Sequence, residues 1–418
     1  MPNATVFGNQ FSDLCLLAHQ PEVHQTRKLA CHRAVPIAAS LALSLSKAKL
    51  AGITRVADVT GLDNIGIPVV MVVRPSSRSI TVSQGKGLTL DNAFVSGLME
   101  SLEALHAERP ALPVYLMQSR EISADDSIDI SALPCRIGSL FRPDLRIAWT
   151  EATDIKTGKS RLVPFELVHM DYTLPFPEGS GCFAMSSSGL ASGNFLAEAL
   201  IHGICELIER DALALASATN WNDMKTIPIG SIPWSGASEL VKMVQSAGCT
   251  LALYDLTTDI GVPVIAAFLS GGSVSLSTAS TAGGLGCHPD PGWACIRAIT
   301  EAAQSRLTRL AGSRDDIRAE DYDLKAGSPS FVNSDVSVGD LPLSCSYQSL
   351  EADLREIMKR LSACGLHNVY AVDLSRAEIG VPVVRVIIPG LEPAPESGTK
   401  TGARAERART CMTRVYCL

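Results

Sequence analysis

The stretch "ITRVADVTGLDNIGIPVVMVVRP", residues 53–75, organises this chain because related phrases occur twice more. They are "CTLALYDLTTDIGVPVIAAFLS" (249–270) and "LHNVYAVDLSRAEIGVPVVRVIIPG" (366–390). Each phrase is a β-rich run ending in Asp, a short polar turn, the motif Ile-Gly-(Ile/Val)-Pro-Val and a second β-rich run. A proline can open a strand because that position need not donate a ladder hydrogen bond. The sequence therefore predicts three related strand pairs.

An amphipathic helix is predicted after each of the first two phrases, in "SQGKGLTLDNAFVSGLMESLEALHAE" (83–108) and in residues 281–312. The first helix carries Glu100 and Glu103, and the second carries Glu301 and Gln304. Side chains at i and i+3 meet on one helix face. A third helix, in "GLASGNFLAEALIHGICELIERDALAL" (189–215), carries Glu206 and Glu209, with Glu198 on the same side at ~100° per residue. We expect an α/β fold, of the α+β kind, with repeated strand-pair plus helix units.

Composition bounds the class of protein. The 418 residues, 46% of them apolar, suffice for a large core in two or three lobes. The net charge of -7 is spread along the chain, without the basic stripe that nucleic acid requires. We find no signal peptide and no run of about 20 apolar residues, so we expect a cytoplasmic protein that does not bind membranes. None of the twelve cysteines forms a Cys-x-x-Cys pair, which predicts reduced core residues.

Acids on apolar-sided helices need an explanation, because burying unpaired carboxylates is costly. Carboxylates without His or Cys companions favour Mg²⁺, which usually carries phosphates on its remaining positions. The loops "SQGKGLT", with Lys86, and "SSSGLASGN", with Asn194, offer backbone N–H groups ahead of helices, as phosphate sites do. Simpler readings stay open: the acids form solvated faces, Lys86 is a surface lysine, Asn194 is a helix N-cap, and Arg210 and Arg306 pair with neighbouring acids.

Taken together, these motifs resemble the YcaO family over about residues 35–395. The resemblance implies an unusual ATP-binding α/β fold in which glutamates from several helices hold Mg²⁺. It implies three parts of the chain: an N-terminal segment 1–34, a catalytic region 35–395 and a C-terminal tail 396–418. It assigns no enzyme nucleophile. The implied metal ligands are Glu100, Glu103, Glu198, Glu206 and Glu209, and the implied nucleotide contacts are Lys86, Ser96, Asn194, Arg210, Gln304 and Arg306.

The reaction implied by the resemblance is ATP- and Mg²⁺-dependent activation of a backbone amide in a ribosomally made peptide or protein. Sulfide as nucleophile gives a thioamide, a Cys, Ser or Thr side chain gives an azoline, and an amine gives an amidine. The chain departs from the family pattern at Ser188 and Ala191, and its ending "ARTCMTRVYCL" lacks the Pro-x-Pro-x-Pro sequence typical of azoline-forming members.

The stretch "PGLEPAPESGTKTGARA" (389–405) is similar to members that act beside a TfuA-type protein, which favours thioamidation over azoline formation. We expect a precursor peptide substrate and a TfuA-like or leader-binding partner. The oligomeric state stays open, a homodimer included. Two other readings remain: a non-catalytic ATP-binding scaffold, and acid helices that are merely solvated. From Pro393 onward we expect a mobile or partner-docked tail.

Overall fold

The computed structural model describes residues 26–29, 33–219, 221, 224–271, 281–317, 342–395 and 398–415. Residues 1–25, 30–32 and 416–418, which include most of the predicted N-terminal segment, lie outside this description. The described residues form two compact units. Unit 1 takes those within 1–35, 102–219 and 347–418, and unit 2 takes those within 36–101 and 220–346.

Unit 2 contains two antiparallel sheets. The first has the order β1-β2-β3 and the second has the order β11-β10-β9-β8. Their strands are β1 (Arg55–Asp58), β2 (Val69–Val73), β3 (Val82–Lys86), β8 (Lys225–Thr226), β9 (Cys249–Asp255), β10 (Val264–Gly271) and β11 (Thr281–Cys287). Its helices are α1 (Ile37–Ala48), the first part of α2 (Leu90–Glu108), α4 (Ser235–Ser246) and α5 (Pro291–Ala311).

The described residues of unit 1 contain one antiparallel sheet in the strand order β4-β5-β12-β13-β7, and β6 also pairs with β5. Its strands are β4 (Tyr115–Gln118), β5 (Arg146–Asp154), β6 (Ser160–Pro164), β7 (Leu190–Ser192), β12 (Tyr370–Asp373) and β13 (Val383–Ile387). Its helices are α3 (Leu196–Ala218), α6 (Leu350–Ala363), α7 (Ala403–Val415) and the last residues of α2, which divides between the units after Ser101.

The three predicted strand pairs are confirmed. They are β1 with β2, β9 with β10, and β12 with β13, all antiparallel. Each first strand ends in an aspartate whose Oδ1 accepts a hydrogen bond from the backbone N–H two residues later, at 2.9 Å in all three copies: Asp58 from Thr60, Asp255 from Thr257 and Asp373 from Ser375. This local hydrogen bond stabilises the turn.

The hydroxyl group of the same turn residue then holds the start of the second strand. The N–H of the valine after the motif proline donates to it: Val69 to Thr60 at 3.1 Å, Val264 to Thr257 at 3.1 Å, and Val383 to Ser375 at 3.0 Å. The short phrase Asp-x-(Thr/Ser) thus satisfies the backbone groups of the turn that no strand can pair.

Each strand pair is completed by a third strand and a helix. We call β1-β2-β3-α2 module 1 and β9-β10-β11-α5 module 2. Module 3 is β12-β13-β7-α3, because β7 pairs antiparallel with β13 just as β3 pairs with β2 and β11 pairs with β10. In module 3 the third strand and the helix precede the strand pair in the chain. Module 3 is therefore a circularly permuted copy.

Glycines allow the helices of modules 1 and 2 to lie directly on their third strands. A Cβ at Gly85 would come within 2.0 Å of the Ala93 carbonyl oxygen, and one at Gly286 within 2.1 Å of the Ala294 carbonyl oxygen. Helix α5 begins where Asp290 accepts hydrogen bonds from Gly292 N at 2.9 Å and Trp293 N at 3.2 Å.

The C-terminal residues 398–415 differ from the expected mobile or partner-docked tail. Lys400 N donates to the Cys135 carbonyl at 2.9 Å, and Ile137 N donates to the Gly398 carbonyl at 2.9 Å. Helix α7 follows and packs on α3. The segment contains few apolar residues, and this composition predicted mobility. Buried hydrogen bonds, such as those of Arg404 with Asp211 and Glu392, hold it in place.

Candidate functional site

The acid pairs occupy equivalent places in the three modules. Lys86, Cys287 and Ser192 are the third-strand residues opposite the valine that follows the motif proline. Counting the same number of residues onward from each reaches Glu100, Glu301 and Glu206, and one helical turn further reaches Glu103, Gln304 and Glu209. The repeat therefore places all three pairs at equivalent positions in the modules.

The first acid of each pair accepts a backbone N–H from the neighbouring third strand or the residue before it. Gln84 N donates to Glu100 at 3.4 Å, Leu285 N donates to Glu301 at 3.4 Å, and Gly189 N donates to Glu206 at 3.2 Å. In modules 1 and 2 the donor is the equivalent third-strand residue, and in module 3 it is the residue just before that position.

In unit 2, Glu100 and Glu301 lie among polar side chains. Glu100 is exposed by surface area, yet the protein atoms around its carboxylate raise its pKa by desolvation, and the charges of Lys86 and Arg314 offset part of that effect. Lys86 Nζ lies 2.5 Å from Glu301 Oε2. Gln304 Nε2 donates to Gln84 Oε1 at 3.4 Å. The predicted residues Lys86, Glu100 and Gln304 are thus brought together with Glu301.

In unit 1, Glu103 accepts hydrogen bonds from both Ser192 N at 2.7 Å and Ser192 Oγ at 2.6 Å. On helix α3, the Glu206 carboxylate lies 3.6 Å from the Arg210 guanidinium, one turn along. Glu209 is buried on the same helix. The chain's own N–H, O–H and guanidinium groups therefore contact Glu103 and Glu206, two of the acids that were predicted to bind metal.

Glu198, at the start of α3, is also buried and is bound from two sides. Asn194 N and Nδ2 both donate to Glu198 Oε2 at 3.2 Å, so the Asn194 amide contacts this acid and does not cap the helix. Arg33 Nη1 lies 2.5 Å from Glu198 Oε1. Sequence reasoning missed Arg33, because nothing in the local pattern connects it to a helix far along the chain.

Arg385 was also missed, although it lies inside the third repeated phrase. It is almost fully buried, and its guanidinium donates to the Val168 carbonyl at 3.2 Å and the Ser188 carbonyl at 2.9 Å. Desolvation lowers the pKa of Arg385 to about 10, while Glu206, Tyr172 and Glu103 act in the opposite direction. It therefore stays charged at neutral pH and supplies a buried cation near two of the acids. An arginine within an otherwise apolar strand was the signal that could have identified it.

Two predicted nucleotide contacts have other surroundings. Arg306 is buried; its Nε lies 2.7 Å from Asp63 Oδ2 and its Nη1 donates to the Gly271 carbonyl at 2.9 Å, so it holds α5 within unit 2. Ser96 lies half-buried on α2. Their nucleotide roles stay predictions.

The donor set fits Mg²⁺ in chemistry, since the predicted ligands are carboxylate oxygens. In the part of the chain that the structure describes, no three acidic, histidine or cysteine side chains converge as metal ligands would. Arg33, Lys86 and Arg210 stand as cations against Glu198, Glu301 and Glu206.

Comparison with known proteins identifies the family. Residues 84–392 match the model of the YcaO cyclodehydratase family, described as ATP- and Mg²⁺-binding. The chain belongs to the YcaO family. An uncharacterized protein encoded in the tfuA 3′ region of Rhizobium leguminosarum bv. trifolii is 39% identical over 360 residues, 82% of this chain and 84% of that protein. ATP and Mg²⁺ are therefore the cofactors, and the predicted family is confirmed.

Solved structures confirm the predicted fold. YcaO from Methanopyrus kandleri, bound with AMPPCP and Mg²⁺, superposes with a TM-score of 0.65 at 23% identity, over 86% of this chain and 92% of that one. A heterocyclase in complex with substrate and cofactor superposes with a TM-score of 0.73 at 21% identity, over 91% of this chain. This YcaO chain spans 56% of that longer heterocyclase. Among the helices described, none is long and apolar enough to cross a membrane.

Proposed function

We propose that this YcaO protein uses ATP and Mg²⁺ to activate, by O-phosphorylation, a backbone amide of a ribosomally made peptide or protein, and that with a sulfur donor and a TfuA-like partner the product is a thioamide. The observation that carries the amide-activating role is the recurrence of one acid position in three modules of a chain whose family binds ATP and Mg²⁺.

The proposed roles follow the chemistry of each group. Glu100, Glu103, Glu198, Glu206 and Glu209 would hold Mg²⁺, which would supply positive charge to the phosphates. Phosphoryl transfer relies on positioned positive charge more than on covalent participation by the protein. A divalent ion at Glu198 and Glu206 would free Arg33 and Arg210 to contact phosphate oxygens. Lys86, Ser96, Asn194, Gln304 and Arg306 are the further proposed nucleotide contacts.

Thioamidation is preferred because the relative that is 39% identical over 82% of this chain is named for its position in the tfuA 3′ region. A second candidate product, an azoline from Cys, Ser or Thr of the peptide, is supported by the likeness to a heterocyclase with a TM-score of 0.73. The intact mass of a co-expressed peptide separates them: exchange of oxygen for sulfur adds the mass difference between these atoms, whereas cyclodehydration removes one water.

The site is tested with Glu206→Gln plus Glu209→Gln, using binding of Mg²⁺ and AMPPCP measured by calorimetry. We expect binding to weaken at least tenfold, because two of the five proposed metal ligands lose their charge. Glu239→Gln, at an exposed glutamate of α4, is the matched control and should bind as the wild type does. Unchanged binding by the double variant would refute the assignment. Binding without phosphate release, with peptide and partner supplied, would favour the non-catalytic scaffold.

A further inference from the structure

Asp211, a further acid of helix α3, forms a buried ion pair with Arg404. It is completely buried, two residues beyond Glu209. The Arg404 guanidinium donates two hydrogen bonds to the Asp211 carboxylate, from Nε to Oδ1 at 2.9 Å and from Nη2 to Oδ2 at 3.0 Å. Glu392 N donates to the same Oδ1 at 2.9 Å. This is a two-pronged, charge-assisted contact, which fixes direction as well as distance.

Glu392 in turn fixes the start of helix α7. Its Oε1 accepts hydrogen bonds from Arg404 N at 2.8 Å and Ala405 N at 3.0 Å, and its Oε2 accepts one from Gly402 N at 2.8 Å. The first N–H groups of a helix have no partner within it, so a carboxylate here satisfies them and favours the helix dipole. Burial raises the pKa of Asp211 and the Arg404 charge opposes that rise.

The family match ends at Glu392, whereas Arg404 lies beyond it and reaches back to Asp211 inside it. Because α3 is a rigid helix, the direction of Asp211 also sets the direction of Glu206 and Glu209, which lie within one and a half turns of it. We propose that Arg404 is a positioning residue: through Asp211 and Glu392 it fixes the rotation of the part of α3 that carries the Glu206 and Glu209 pair. This proposal rests on the proposed function, since it concerns how that pair is held ready for a metal ion.

The experiment uses Mn²⁺ alone as the probe, with free Mn²⁺ measured by electron paramagnetic resonance in the full chain. We expect Arg404→Met to weaken Mn²⁺ binding by roughly tenfold to a hundredfold, as loss of a partner behind a metal ligand does. Arg404→Lys should recover part of the affinity. Arg407→Met removes an exposed arginine of the same helix and should leave the affinity unchanged.

A second variant covers the outcome in which Arg404→Met does not fold. Asp211→Asn with Arg404→Met removes both buried charges, so no unpaired ion remains to destabilise the fold. We expect this double variant to fold and still to bind Mn²⁺ weakly, because the two-pronged contact is gone. Wild-type affinity in either folded variant overturns the positioning role of Arg404 alone. A wild-type chain that binds Mn²⁺ neither alone nor together with AMPPCP overturns the proposed function, and the positioning role with it.

Discussion

Modules 2 and 3 share a scaffold but provide charge differently. In module 2 the acid Glu301 is followed one turn later by Gln304, and the residue two positions after the motif valine on β10 is Ala266. In module 3 the acid Glu206 is followed by Glu209, and the equivalent strand position on β13 is Arg385. The module with the extra carboxylate is the one whose sheet carries a buried cation.

Module 1 has two acids but no buried cation at the equivalent strand position. The acids are Glu100 and Glu103, and the strand residue is Met71. Glu103 lies in unit 1, where the Arg385 charge acts on it as well as on Glu206. One buried guanidinium therefore serves acids from two modules. A repeated fold can thus place a buried positive charge near its acids by changing a single core position.

The largest expected effect comes from removing that charge with Arg385→Met, which copies module 1 into module 3. The Val168 and Ser188 carbonyls lose their donor, and the acids lose a buried counter-charge. We expect a loss of about 3–5 kcal/mol in the free energy of unfolding, measured by denaturant titration. Met71→Leu, at the equivalent position, should cost less than about 1.5 kcal/mol. Equal losses in both variants would show that the charge contributes nothing beyond packing.

The stability of the region around module 3 should also depend on pH, because buried His169 lies near Arg385. Desolvation, together with the charge of Arg385, lowers the pKa of His169 from 6.5 to about 4, while Asp171 acts in the opposite direction. Between these values the unfolded chain binds a proton that the folded chain does not, so stability falls as pH decreases from about 6.5 to 4. We expect the loss to approach roughly 3 kcal/mol, measured by urea unfolding at several pH values.

His169→Phe supplies the control for this prediction. The ring of His169 stacks on Phe165 with centroids 4.7 Å apart, so phenylalanine keeps the stacking and cannot titrate. The variant should lose less stability across the same pH window than the wild type does. An unchanged pH slope would assign the acid sensitivity to other groups.

The packing of helix on strand offers a smaller test. Module 3 has buried Ala191 where modules 1 and 2 have Gly85 and Gly286. We expect Gly85→Ala to cost about 1–3 kcal/mol, because the new methyl group would overlap backbone atoms of α2 and force the helix to move. Thermal unfolding measures the change. Ala191→Gly should cost only about 0.5–1 kcal/mol, from backbone entropy; the reverse ranking would mean that the modules pack alike.

The smallest effects should be equal across the modules. Thr60→Ala, Thr257→Ala and Ser375→Ala each remove the hydroxyl that accepts from the first residue of the second strand. We expect about 1 kcal/mol in each case, the usual net value of one hydrogen bond, by chemical denaturation. Thr54→Ala, whose hydroxyl lies 3.4 Å from the Val73 carbonyl, is a control with a weaker contact. Losses that differ severalfold among the three turns would contradict their equivalence.

The sequence revealed the repeated strand pairs because Asp, Gly and Pro are needed at fixed points of the turn, and such requirements are visible in one chain. It also revealed the acid pairs, since i and i+3 spacing is local. The membership of α3 in module 3 was not predictable, because β7 and β13 are distant in sequence and only their pairing relates them. Arg33 and Arg404 were missed for the same reason: each acts on a residue of a distant segment.

The permuted order of module 3 also has a consequence during synthesis. Strand β7 and helix α3 leave the ribosome well before β13, the strand beside which β7 lies. Until residues near 387 have emerged, β7 has no partner at this edge, and α3 has no complete sheet beneath it. Long-range pairing of this kind is slow and leaves apolar surface exposed meanwhile. Helix α3, which carries three of the five predicted metal ligands, should therefore be among the last parts to fold. An incompletely translated chain should not bind nucleotide.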